Sequence, residues 1–140
     1  MSAKLEALQH WRKALVASIR ADSPDLTGRQ LAVLLGVYLT PPPHTVRGMA
    51  AALLISKPAV TRAVDRLCEL GFVKRKRDPE DGRNVLVQRT VKGSVHLTEF
   101  AQMVIDAGWS REPPPGIFED GQAAPEPTPE SAPEPAAATA

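Results

Sequence analysis

From Leu5 onward the apolar residues return at steps of three and four: Leu5, Leu8, Trp11, Leu15 and Ile19, with charged and polar residues between them. That period places one apolar stripe on a helix over about residues 2–21, and Ser23, Pro24 and Asp25 stop it. A second helix opens at Thr27. Thr27 and Gln30 have the T-x-x-Q spacing of a capping box, and Leu31, Leu34, Leu35 and Tyr38 then share a face. Pro41, Pro42 and Pro43 forbid continuation and force an extended link.

The stretch from Thr45 to Val73 carries the densest local signals. Thr45 is placed to cap a short helix with Val46, Met49, Ala50 and Leu53 facing inward. Ser56 caps the next, with Ile55 and Val60 at the two positions of a hydrophobic staple and Pro58 in the first turn, where a missing N–H is harmless. Val60, Ala63, Val64, Leu67 and Leu70 give that helix its core face. Gly71 stands where a left-handed residue ends a helix, with Leu67 and Phe72 set for the contact of a Schellman ending. Two short helices with so little between them form a helix-turn-helix. A hairpin follows, its strands at about 73–77 and 84–89 around the Pro79 to Gly82 turn. The last helix, about 91–107, carries Val95, Leu97, Phe100, Ala101, Val104 and Ile105. The predicted fold is mainly α with a small β-hairpin, a winged helix-turn-helix with flanking N- and C-terminal helices.

Composition divides the 140 residues. Residues 109–140 are rich in proline, alanine and glutamate, with Trp109, Ile117 and Phe118 as their only large apolar residues. They bury too little surface to offset ordering entropy, so the expectation is a folded domain over 1–108 and a disordered acidic tail over 109–140. The overall charge of +1 conceals a segregation: residues 44–93 hold 11 bases against 5 acids, and residues 109–140 hold 1 against 6. A basic middle is a footprint for a polyanion, nucleic acid before membrane. No apolar run reaches membrane-span length and the N-terminus lacks a signal-peptide core, so a cytoplasmic protein without membrane partners is expected. The lone Cys68 excludes an intrachain disulfide and is read as packing beside the apolar face.

Burying Val60, Ala63, Val64 and Leu67 leaves Lys57, Thr61, Arg62, Asp65 and Arg66 on the opposite face of the second motif helix. That face suits a DNA major groove. Thr61 and Arg62 lie in the N-terminal half, which reaches base edges, and an arginine can grip guanine O6 and N7 with two hydrogen bonds. Lys57 and Arg66 are assigned to phosphates, and Ser56, as cap, presents helix N–H groups to one. Such charges alone equally describe a solvated helix face. The hairpin shifts the balance, because Lys74, Arg75, Lys76 and Arg77 lead into its turn and Arg83 leaves it. Asp78, Glu80 and Asp81 are read as orienting partners for Arg83 or its neighbours.

Residues 77–93 resemble the wing signature of the multiple-antibiotic-resistance regulator (MarR) family, D-x-x-D-x-R followed by L-T-x-x-G. Asp78, Asp81 and Arg83 match the first part and Thr90 and Gly93 the second, with Arg89 in the place of the leucine. The stretch "ISKPAVTRAVDRLCELGFV" is similar to the family's recognition helix and its glycine stop. The resemblance, over about 26–93, implies a homodimeric transcription regulator of double-stranded DNA, with Arg83 in the minor groove. The apolar stripes of the first and last helices supply a candidate two-fold interface.

Other chemistry is sparse. His10, His44 and His96 are far apart and lack metal-ligand spacing, so no metal site is predicted, and no cofactor either. There is no phosphate loop and no nucleophile elbow, hence no enzyme expected. Trp11 and Tyr38 are read as ordinary core, which leaves a small-molecule effector unspecified. The alternative function is a winged helix used as a protein-interaction module without sequence-specific DNA binding.

Overall fold

The computed structural model describes residues 2–108. In chain order these form α1 (Ala3–Arg20), α2 (Gly28–Leu39), α3 (Val46–Leu53), α4 (Lys57–Glu69), β1 (Val73–Arg77), β2 (Val85–Arg89) and α5 (Val91–Asp106). The expected order holds throughout, with β2 beginning one residue later than predicted. The tail over 109–140 lies outside the described residues.

Local chemistry explains the boundaries. Each helix opens on a hydroxyl that accepts a backbone N–H three residues on: Ser2, Thr27, Thr45, Ser56 and Thr90. Such a cap contributes about 1 kcal/mol. The capping box at Thr27 is complete, since Gln30 Oε1 accepts the Thr27 N–H at 2.9 Å. The ending of α4 is the predicted Schellman motif: Gly71 takes φ +76°, Phe72 N–H reaches the Leu67 carbonyl at 2.9 Å, and Gly71 N–H reaches that of Cys68 at 3.0 Å.

The core is built by α2, the helix-turn-helix and the wing. Val33, Leu34 and Val37 of α2 meet Val60, Ala63, Val64 and Leu67 of α4, closed by Met49, Ala50, Phe72, Val73 and Val87. The buried face of α2 is thus rotated from the predicted one: Leu31, Leu35 and Tyr38 are half-buried at its margins. A row of apolar residues at helical spacing leaves two adjacent faces open, and α4 selects between them. The outer helix α1 packs along α5, tied there by His10 Nε2–H donating to the Val104 carbonyl at 2.8 Å. Only Ala14 of α1 is buried. Leu8 and Ile19 stay 68% and 75% exposed, and Trp11, read as core from its spacing, is 49% exposed. Among the described residues no helix is long and apolar enough to cross a membrane.

The wing is an antiparallel pair with Val73 opposite Arg89 and Arg77 opposite Val85. It gains a further edge that the triple proline hid in the sequence. Val87 N–H donates to the His44 carbonyl at 2.8 Å and Thr45 forms an isolated antiparallel bridge to Leu86, so the link into α3 is held along the free edge of β2. At its base, Thr90 caps α5 through Gly93 N–H at 3.0 Å and donates its hydroxyl to the Gly71 carbonyl at 2.7 Å. Tyr38 Oη accepts Thr90 N–H at 2.9 Å and donates toward the Phe72 carbonyl at 2.8 Å. Thr90 and Gly93 therefore lock α2, the α4 ending and α5 together.

Candidate nucleic-acid interface

The exposed side of α4 follows from what the helix buries. With Ala59, Val60, Ala63, Val64 and Leu67 inside, Lys57, Thr61, Arg62 and Asp65 are exposed and Arg66 half-exposed. The hairpin lies beside this face because of its strand period. Directly paired residues share a face of a two-stranded ribbon, so Val73, Arg75, Arg77, Val85, Val87 and Arg89 line one side, and Lys74, Lys76, Leu86 and Gln88 the other. The first side carries the buried Val73 and Val87 toward the helices. Arg75, between them, reaches α4: its guanidinium is paired with the Asp65 carboxylate and donates to Cys68 Sγ at 3.6 Å. This ion pair fixes the wing against the recognition face.

It also sorts the predicted bases. Arg75 is committed to Asp65, and Arg66 lies 3.6 Å from Glu69 one turn along α4. The side chains of Lys57, Arg62, Lys74, Lys76, Arg77 and Arg83 are exposed and have no hydrogen-bond or ion-pair partner among the described residues. At the wing tip Asp78 and Asp81, read from sequence as orienting Arg83 or its neighbours, act through the backbone. Asp78 Oδ1 accepts Glu80 N–H at 2.9 Å and Asp81 Oδ1 accepts Arg83 N–H at 3.1 Å. Both are Asx turns, which fold the tip and set where Arg83 leaves it.

Four residues take roles that the sequence reading did not assign. Arg29, two residues after the Thr27 cap, lines a cleft of about 250 Å³ with Arg62 and Ala59, so the α2 N-terminus stands beside the recognition helix. Its only sequence signal is a base in the first turn of a capped helix. Arg89, read only as a departure from the family leucine, donates to the Val37 carbonyl at 2.8 Å and to Thr40's at 3.2 Å. A cation there satisfies the free carbonyls at the end of α2. His44 is buried beside it with Nε2 unpartnered, and burial, reinforced by Arg89, holds its pKa below 6.5. His96 stacks on Phe72 at 4.2 Å and is likewise lowered by burial, against the opposing charge of Glu99. No group of three or more metal-ligating side chains occurs among the described residues.

A helix-turn-helix with an adjoining basic hairpin recurs in known proteins. A family model described as MarR family matches residues 25–84, the segment from the start of α2 into the wing. The solved structure of wild-type MarR from E. coli in its apo form is 27% identical, with 72% of each chain covered and a TM-score of 0.57. The chain is similar to MarR-family proteins over residues 25–84 and shares their winged-helix fold. No curated protein sequence matches it. Two further MarR-like structures carry ligands. One is the PcaV transcriptional regulator of Streptomyces coelicolor in complex with its natural ligand, 25% identical, covering 61% of this chain and 60% of that one at a TM-score of 0.53. The other is CouR of Rhodococcus jostii RHA1 bound to p-coumaroyl-CoA, 30% identical, covering 68% and 62% at 0.53. The MarR family consists of DNA-binding winged-helix transcription regulators and not of enzymes.

Proposed function

We propose that this chain is a MarR-family regulator that binds double-stranded DNA, with α4 in the major groove and the wing tip at the minor groove. One observation carries the reading: the Arg75–Asp65 pair seats the wing against α4, beside which six exposed bases have no partner among the described residues. Thr61 and Arg62 read base edges from the N-terminal half of α4. Lys57, Lys74, Lys76 and Arg77 hold phosphates, and Ser56 and the α2 N-terminus with Arg29 add N–H groups and charge for the same purpose. Arg83 enters the minor groove. Arg66 and Arg75 contribute charge through partly neutralised pairs, so their share is smaller than the sequence alone implied.

Two copies are needed for a two-fold site. The half-bare stripe of α1, together with Val95 and Ile105 of α5, supplies the apolar surface for a second copy. Between the end of α1, the start of α2 and α5 lies a cleft of about 560 Å³ lined by Leu15, Ile19, Leu31, His96 and Phe100. Its size suits a small organic effector, as the ligand-bound relatives encourage.

The test is a salt series with duplex DNA. Neutralising about 6–10 phosphates per dimer makes affinity fall roughly 10³–10⁵-fold between 50 and 200 mM salt. A flat response, or no binding at 50 mM, replaces this reading with a protein-interaction module.

A further inference from the structure

We propose that the acidic C-terminal segment is a built-in competitor for the DNA-binding face, with Glu126, Glu130 and Glu134 as its contact groups. The proposal rests on the DNA-binding reading above. Its observations are the two halves of one charge pattern. On the folded part, Lys57, Arg62, Lys74, Lys76, Arg77 and Arg83 are exposed without partners among the described residues. Beyond it, residues 109–140 hold six acids against the single base Arg111.

Reach selects among those acids. An extended chain spans about 3.3 Å per residue, and a domain of about 100 residues has a radius of gyration near 13 Å, hence roughly 35 Å across. Glu112 lies four residues past Gly108, so its reach of about 13 Å keeps it near the end of α5. Glu119 and Asp120 barely span the domain. Glu126, Glu130 and Glu134 begin 18 residues out, a contour of roughly 60 Å, which covers any path from α5 to α4 and the wing. They stand four residues apart with a proline before each, in "PEPTPESAPEP", and no base interrupts them.

The mode of action follows from the weakness of each contact. A single exposed carboxylate–ammonium pair is weak and salt-screened. Tethering raises the local carboxylate concentration to the millimolar range, enough to compete with transient contacts to DNA. Non-specific binding rests almost wholly on phosphate charge and is the mode most suppressed, whereas base-edge contacts through Arg62 are not replaced by a carboxylate. The segment thereby widens the gap between specific and random DNA.

The test compares three full-length chains: native, the triple variant Glu126→Gln, Glu130→Gln and Glu134→Gln, and the control Glu112→Gln. All four substitutions lie outside the described residues. With random-sequence duplex at about 25 mM salt, the triple variant is expected to bind about three- to tenfold more tightly than native, with the control unchanged. At about 300 mM the three chains converge, because the screening length shrinks to roughly 6 Å. Without DNA, the backbone amide resonances of Lys57, Lys74 and Lys76 should differ between native and triple variant at low salt and coincide at high salt. Equal affinities at both salts, or coincident amides at low salt, overturn the proposal and leave the DNA-binding reading standing. Failure of every chain to bind duplex at low salt overturns that reading, and the competitor role with it.

Discussion

Gly93 is where α5 approaches the α4 ending most closely, and its substitution gives an unusual sign. Gly93 is buried in the first turn of α5. A Cβ built there meets Tyr38 Oη at 2.1 Å and the Phe72 carbonyl at 2.2 Å. An ordinary glycine in a helix gains about 1 kcal/mol when replaced by alanine. Here the methyl must push α5 off the α4 ending or displace the tyrosine. Overpacking costs about 1–3 kcal/mol. Losing the Thr90 and Phe72 hydrogen bonds of Tyr38 costs about 1 kcal/mol each. Set against the propensity gain, Gly93→Ala should destabilise by roughly 2–4 kcal/mol. Gly36, inside α2, has nothing within 4 Å of its built Cβ, so Gly36→Ala should stabilise by about 0.5–1 kcal/mol. Urea unfolding of both variants reads the contrast directly. If Gly93→Ala is neutral or stabilising, the close approach of α5 to the Phe72 carbonyl is not what that glycine serves.

The remaining predictions concern the interface, acid and assembly. Arg62→Ala should cost about 1–3 kcal/mol of binding and relax preference at one base pair, whereas Lys57→Ala should weaken all sequences alike and Arg83→Ala should remove preference for a narrow A·T-rich minor groove. Equal scaling on every sequence in all three variants refutes these roles. His44 and His96 have folded pKa values below their unfolded value of 6.5, mainly through burial, so the unfolded chain binds more protons on acidification. Their stabilising share is complete above 6.5 and is lost as pH falls through the folded values; the urea midpoint should drop between about pH 7.5 and 5, and less so in His96→Phe, which keeps the stack on Phe72. A midpoint that rises on acidification contradicts the assignment. Sedimentation should find a dimer, weakened by Trp11→Glu or Ile19→Glu on the bare stripe of α1; a native monomer both free and on DNA removes the two-fold model.

Local chemistry was legible in the chain, and contacts across it were not. The caps at Thr27, Ser56 and Thr90 and the Gly71 ending depend on residues within six positions, so spacing alone located five helices and the hairpin. Tertiary choices lay outside that range. Whether α2 buries Leu31 or Val37 depends on α4, and whether Trp11 is core depends on how far α1 stands from the body. Arg75 and Lys76 read alike as bases in a row, yet the strand period sends one to Asp65 and the other to the opposite face. Arg89 broke a family pattern in sequence, and only the end of α2, 49 to 52 residues away, supplies its purpose. The bridge from His44 and Thr45 to β2 was hidden because three prolines announce a link without saying what it passes. In the site, residue types and the adjacency of helix and wing were readable; the division into free and paired bases was not.

The central claim is that α4 and the wing together read duplex DNA in sequence. Selection of bound fragments from a random duplex pool by the full chain tests it most directly. The account predicts enrichment of a two-fold symmetric site whose half-sites lie about one helical turn, roughly 34 Å, apart, flanked by A·T-rich steps where Arg83 enters, with the half-site core altered in Arg62→Ala. Recovery of a pool indistinguishable from the input, at salt low enough to retain DNA on the protein, contradicts it.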